Sequence, residues 1–312
     1  MFSWVASTDC GLNTAELLEK STTLNLSVGL RLTMKRTFLT IILLLAILVP
    51  ANAQDLVILH TNDTHSQIEE VRVGSDKGKG GVERRLQYID AMREKYGRNK
   101  VLLLDAGDFN QGTPYYTVAH GNLEIDLVNA MGYDVMTLGN HEFDNGQADL
   151  ARRLKKAKHK VVCCNYDFSK SPLAKYVKPY VIVHRGGLKI GIIGTTSYLE
   201  GAVMASNTEG LTRLDGVKEV NRWADYLKNR KHCDLVILLS HFGYSGGGYD
   251  RPSDCFMVAN SRNLDLVIGG HSHTYLARAK ETADLDGRIV PITQSSSKGV
   301  VVGTWEITLS RP

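Results

Sequence analysis

The chain has 312 residues, with 37 lysines and arginines against 33 aspartates and glutamates. So small a basic surplus gives no electrostatic case for binding nucleic acid or a membrane surface, either of which needs a clustered positive stripe. No repeat or low-complexity tract interrupts the chain, and the composition suits a protein that buries one sizeable core.

From Met34 the sequence runs MKRTFLTIILLLAILVPANAQ. Lys35 and Arg36 give a positive start, Phe38 to Val49 an apolar run, and Ala51-Asn52-Ala53 a small-residue cleavage site before Gln54. The run is well short of the roughly 20 residues that cross a bilayer as a helix. Residues 34–53 are therefore expected to be a cleaved signal peptide, with no stable membrane anchor and a periplasmic or secreted product. Residues 1–33, polar and patternless, read as a non-native upstream extension, and translation is expected to start at Met34. Residues 54–312 remain as one domain, undivided by any Pro/Ser-rich linker.

Within that domain strands and helices alternate. DLVILH (55–60) is a strand, and Val82, Leu86, Ile89, Met92 and Tyr96 then recur at helical spacing up to Gly97. KVLLLDAGD (100–108) is the next strand, followed by a helix at 123–132, a strand at 133–140, a basic helix at 147–158 and the strand KVVCCNY at 160–166. YVIVHR (180–185) and LKIGIIGT (188–195) flank Gly186-Gly187 and predict a hairpin. A helix at 217–228, the run 233–241, FMVANS (256–261) and LDLVIGGH (264–271) continue the rhythm. The end returns to strands in GRIVPITQS and KGVVVGTWEITL. Apolar strands separated by helices predict an α/β fold with sheet buried on both faces; the hairpins add a second sheet packed on the first. Cys163, Cys164, Cys233 and Cys255 read as buried free thiols rather than a disulfide framework.

Polar motifs begin where apolar strand runs stop, the place where ligands of α/β sheets gather. Asp63 and His65, two residues apart, can face one divalent cation, although alone the pair reads as a solvated loop. Asp108 offers two oxygens able to bridge two ions, or a cap for the next turn; Asp105 reads as structural. Asn140 brings a neutral carbonyl oxygen, His141 a proton donor, and Asp144 a carboxylate able to hold the other imidazole nitrogen. Glu142 reads equally as a polar contact or a solvated side chain and receives no role. His241, His271 and His273 complete the set; a single strand-end histidine is commonly a core residue, but His-x-His after Gly-Gly favours metal. His60, His120, His159, His184 and His232 receive no role.

In order, Asp-x-His, Gly-Asp, Gly-Asn-His-Glu, a strand-end His and Gly-His-x-His resemble calcineurin-like metallophosphoesterases. The wording ILHTNDTHS, DAGDFNQGTP, LGNHEFD, SHFG and GGHSH is similar to the N-terminal catalytic domain of the 5'-nucleotidase/UDP-sugar hydrolase/2',3'-cyclic phosphodiesterase family. The resemblance implies a four-layer α/β-β/α sandwich with two mixed sheets flanked by helices. It implies one metal held by Asp63, His65 and His273, a second by Asn140, His241 and His271, Asp108 bridging both, and a catalytic His141–Asp144 pair. Two divalent metal ions (Mn, Zn, Fe or Co) would share a hydroxide that attacks a nucleotide phosphomonoester. A phosphodiesterase or another exported phosphatase is the alternative, and a non-catalytic nucleotide- or metal-binding protein the minor one. The family's second domain, which cradles the base, does not follow in this sequence. Either a separately encoded 5'-nucleotidase C-terminal domain supplies it or the substrate is a smaller phosphoester.

Overall fold

The computed structural model describes residues 54–309, so the expected signal peptide at 34–53 and the stretch 1–33 lie outside the described residues. β1 (Gln54–Thr61) coincides with the first apolar run. α1 (Val82–Tyr96) buries Val82, Ile89 and Met92, the face their spacing marked, and Gly97 closes it by donating its N–H to the Arg93 carbonyl. β2 (Val101–Asp105) is buried at every position. α2 (Pro114–Ala119), α3 (Asn122–Met131), β3 (Val135–Thr137), α4 (Gly146–Leu154) and β4 (Lys160–Val162) follow. The basic helix expected to reach 158 stops at Leu154, because Lys156 and Ala157 turn back to bond the Arg153 and Leu154 carbonyls in the tighter three-residue pattern.

After β5 (Tyr166–Asp167) and β6 (Val177–Lys178), β7 (Tyr180–Arg185) and β8 (Leu188–Thr195) form the expected antiparallel hairpin. β9 (Thr212–Arg213) pairs with β5 in a small ribbon that the sequence pattern does not reveal. α5 (Gly216–Asp225) starts at Asp215, whose carboxylate accepts the Lys218 N–H. β10 (Leu235–Ser240) is again wholly buried. FMVA of the run FMVANS falls in α6 (Asp254–Ala259), which starts under the Ser253 hydroxyl and ends at Asn260. β11 (Leu266–Gly269), β12 (Lys280–Ala283), β13 (Ile289–Thr293) and β14 (Gly303–Leu309) complete the chain. The last strand begins later than its apolar run, because residues before it are drawn away to the loop after β1: Lys298 donates its N–H to the Asp63 carbonyl.

One sheet has the order β14-β1-β2-β3-β4-β6, with β1, β2, β3, β4 and β6 parallel. The other has the order β12-β13-β11-β10-β8-β7, parallel in the middle and antiparallel at both edges. Val57, Leu59, Leu103 and Met136 cluster with Ile89, Ile125 and Leu150 on the helix side of the first sheet. Strand alternation turns the equally buried Ile58, Leu102 and Leu104 to its other face. In the second sheet Val236, Leu238 and Val267 pack with Val220, Leu227 and Met257, so Ile237, Leu239 and Ile268 face away from those helices. The sheets meet where the Thr137 hydroxyl donates to the Thr195 carbonyl (3.1 Å) and the Cys164 N–H to the Gly194 carbonyl (2.8 Å). Helix, sheet, sheet and helix make the four-layer sandwich that the resemblance implied. Cys163, Cys164 and Cys233 are buried free thiols, and Cys255 is a half-buried one.

Candidate metal centre

Asp63 and His65 follow β1, Asp108 follows β2, Asn140 and His141 follow β3, His241 follows β10, and His271 and His273 follow β11. β1, β2 and β3 are neighbours in one sheet, as are β10 and β11 in the other. Their carboxyl ends therefore open on one crevice, and the loops leaving them are laced together. Asp63 and His65 donate backbone N–H groups to the Gly107 and Asp108 carbonyls (2.8 and 3.0 Å), which prolongs the β1–β2 ladder beyond the strands. The His271 N–H lies against both Asp63 carboxylate oxygens (3.0 and 2.9 Å), and the His141 N–H donates to Asp108 Oδ1 (2.9 Å).

This lacing holds a strained backbone. Asp63, His65, Asp108, His271 and His273 all take left-handed φ values, 49°, 46°, 57°, 72° and 53°. Such a conformation costs a non-glycine residue on the order of 1–3 kcal/mol and persists only where surroundings impose it. Close approach also demands glycine at two positions. A Cβ on Gly139 would stand 2.0 Å from Asp108 Oδ1, and one on Gly107 2.6 Å from the Gly139 nitrogen.

Three sets of side chains bring one potential ligand atom each within 4.8 Å of one another: Asp63, His65 and His273; Asp108, His241 and His271; and His65, Asp108 and His141. His65 Nε2 and His273 Nε2 are 2.9 Å apart, and His273 Nε2 is 3.4 Å from Asp63 Oδ1. Asn140 lines the same cavity, of about 390 Å³, as His65, Asp108, His141, His271 and His273. Its Oδ1 accepts the Ser197 hydroxyl (3.1 Å). All the sequence-predicted residues are thus brought to one place, Asp144 through its bond to His141.

The donors fit a divalent cation. His241 Nδ1 bonds the Ala106 carbonyl (2.6 Å); a carbonyl only accepts, so Nδ1 carries a proton and Nε2 is the nitrogen turned towards Asp108 and free to ligate once it gives up any proton. Nε2 is fully buried and faces Asp108 Oδ2 at 3.0 Å. A nitrogen and a carboxylate oxygen held this close, with His271 beside them, are placed as ligands of one ion would be. The surrounding charge agrees. Burial lowers the basicity of His241, but Asp108 and Asp63 outweigh it and raise its pKa to about 10, so the pocket demands a cation. Burial also opposes ionisation of Asp108, yet His241, His65 and His141 hold it well below the usual carboxylate range. Burial lowers His65 and His271, keeping both imidazoles neutral and able to ligate.

His141 Nδ1 lies 2.9 Å from Asp144 Oδ2. That bond, with help from Asp108 and against partial burial, raises the His141 pKa.

Sequence reasoning missed two supports. Glu142, completely buried, accepts the N–H groups of Gly139 (2.6 Å), Asp108 (2.9 Å), Phe109 (3.1 Å) and Asn110 (3.3 Å), fastening the β2 loop to the β3 loop. Burial, with Asp108 nearby, pushes its pKa up to about 7 against those donors. Its place beside Asn140-His141 is the one signal that could have marked it. Asn62 uses both ends of its amide: Oδ1 accepts from Ser295, and Nδ2 donates to the Ser296 carbonyl and to Asp63 Oδ2.

The family model of calcineurin-like phosphoesterases matches residues 56–275. The chain belongs to that family. It is 34% identical over 279 residues to the snake venom 5'-nucleotidase of Naja atra, which covers 81% of this chain and 50% of the venom protein. It is 35% identical over 288 residues to the 5'-nucleotidase of Homo sapiens, covering 84% of this chain and 48% of the human one. Among solved structures, the 5'-nucleotidase precursor from Thermus thermophilus superposes with a TM-score of 0.70 at 31% identity, covering 82% of this chain and 53% of that one. This calcineurin-like chain spans about half the length of the curated relatives it matches. Among the described residues, no helix is long and apolar enough to cross a membrane.

Proposed function

We propose that this chain is an exported, divalent-metal-dependent phosphoester hydrolase of the 5'-nucleotidase type. The observation that carries the reading is the meeting of Asp108 and His241 across two sheets, 3.0 Å apart and buried, amid three overlapping groups of possible ligands. In this reading Asp63, His65 and His273 hold one ion, Asn140, His241 and His271 a second, and Asp108 serves both. Oxygen and imidazole donors without thiolate suit Mn, Zn, Fe or Co. The nucleotide as substrate is taken from the relatives' names, and export from the sequence at 34–53.

Two divalent cations, when bound, supply Lewis acidity to phosphoryl oxygens and to water. The chain's own residues do the rest. Asp63 and Asp108 fix the negative field, and the αL loops aim imidazoles inward. His141, whose protonated form Asp144 favours, lines the cavity and is placed to give its proton to the departing alkoxide oxygen. Asp144 fixes the orientation of the His141 ring, leaving Nε2 as the nitrogen that delivers the proton.

Phosphate release from 5'-AMP, 2',3'-cyclic AMP, UDP-glucose and bis-p-nitrophenyl phosphate, by metal-stripped and Mn-reloaded protein, tests the reading. Metal-dependent turnover of 5'-AMP is expected. Turnover that survives chelation contradicts the metal centre, and diester cleavage alone moves the assignment to a phosphodiesterase.

A further inference from the structure

The segment between β13 and β14 has a conformation that no metal ligand requires. Ser296 and Lys298 sit at φ 64° and 58°, a backbone region that side-chain-bearing residues seldom adopt. A clamp imposes it. Asn62 Oδ1 accepts the Ser295 N–H and hydroxyl (2.8 and 2.7 Å), Asn62 Nδ2 donates to the Ser296 carbonyl (2.6 Å), and the Lys298 N–H donates to the Asp63 carbonyl (2.7 Å). Lys298 is thereby tied to a residue of the metal centre and set in the wall of the 390 Å³ cavity beside His65, His273, Asn140 and His141. It is the one residue with a fixed positive charge among the described residues lining that cavity. Its side chain is exposed, and its ammonium has no hydrogen-bond or ion-pair partner among the described residues.

We propose that Lys298 determines which phosphoester the centre accepts, favouring dianionic phosphomonoesters over monoanionic phosphodiesters. The inference rests on the phosphoesterase reading above and narrows its substrate class. At neutral pH a monoester carries a second negative charge, where a diester carries a second neutral ester arm. A lysine binds such an oxyanion as a point charge. Of the other lining residues, Gln67, Gln111 and Asn140 offer dipoles, His65, His271 and His273 ligand lone pairs, and His141 a proton for the ester oxygen common to both substrates, so loss of Lys298 falls on the more highly charged substrate. The αL clamp fixes the Lys298 backbone at the cavity wall, so that binding has to order only the side chain.

The test compares metal-loaded wild-type protein, Lys298→Ala and Lys298→Arg on p-nitrophenyl phosphate and bis-p-nitrophenyl phosphate. Calorimetric titration with inorganic phosphate is the readout independent of turnover. In Lys298→Ala, the monoester-to-diester ratio of kcat/KM is expected to fall about tenfold, chiefly through the monoester's KM, and phosphate affinity to fall about tenfold, the scale of one partly solvated charged hydrogen bond. Lys298→Arg keeps most of both. Active protein whose ratio and phosphate affinity are unchanged in Lys298→Ala, or whose two substrates lose equally, overturns the proposal alone. Metal-loaded wild type that neither binds phosphate nor cleaves either ester contradicts the phosphoesterase reading, and the proposal falls with it.

Discussion

His241, at the end of β10 in one sheet, meets Asp108, just beyond β2 in the other, with Nε2 and Oδ2 3.0 Å apart. An ion held by both, as proposed, would tie the two sheets together and link metal occupancy to stability. A ligand that binds only the folded state stabilises by about 2.7 kcal/mol at a hundredfold excess over its dissociation constant. Saturating Mn should therefore raise the melting temperature of chelated protein by several degrees, and Asp108→Asn should remove most of that rise. Equal melting temperatures with and without metal in the wild type would count against the centre. Differential scanning calorimetry makes the comparison.

His141 and Asp144 form a separable unit beside the proposed ligands. His141→Asn is expected to keep bound metal while kcat falls about 10²–10⁴-fold, the range of a lost general acid. Asp144 raises the His141 pKa, so the acid form persists to higher pH than for a free imidazole. Activity that needs this acid is present below that pKa and fades as pH rises through it. Asp144→Asn should consequently move the alkaline limb of the kcat profile to lower pH; a limb that stays put denies Asp144 this role.

Glu142 is the hub of the loops, and its removal separates shape from charge. Glu142→Ala leaves buried N–H groups of Gly139, Asp108, Phe109 and Asn110 without an acceptor. An unsatisfied buried donor costs about 1–3 kcal/mol, so the variant should lose at least that much stability and bind metal more weakly. Glu142→Gln keeps one amide oxygen and should lose less. Urea unfolding of the two variants gives the order, and equal stability of Glu142→Ala and wild type would contradict it.

His159, just before the start of β4, is expected to make the protein acid-sensitive. It is almost fully buried, neither ring nitrogen has a partner, and burial lowers its pKa to about 4. The unfolded chain binds a proton below about pH 6.5 that the folded chain refuses. The stability attached to this group is thus complete above pH 6.5 and is lost as pH falls from there towards 4. Its contribution to the slope is about 1.4 kcal/mol per pH unit in that window. His159→Leu should flatten the stability–pH curve between those values; an unchanged slope would show that the ring titrates normally in the fold.

The strand ends were legible because each lies where an apolar run stops in a polar motif, and that is local information. Asp63, His65, Asp108, Asn140, His141, His241, His271 and His273 are all of this kind. What the sequence hides is pairing at a distance. Glu142 looks like any solvated acid until the Asp108 loop, more than thirty positions earlier in the chain, folds onto it. Asn62 finds Ser295 across 233 positions, and Lys298 enters the cavity only because that clamp bends the chain. The strand expected over KGVVVGTWEITL starts late for the same reason. The β5–β9 ribbon is too short to leave a periodic trace.

Metal analysis of active, purified protein tests the central claim most directly. Inductively coupled plasma mass spectrometry on wild type and Asp108→Asn, with phosphate release measured on the same samples, should find about two divalent ions per wild-type chain, as a two-metal centre requires. Asp108→Asn should hold markedly fewer ions and release little phosphate. Wild-type protein that turns over its substrate with no stoichiometric metal, or an Asp108→Asn variant with full metal content and full activity, would contradict the claim.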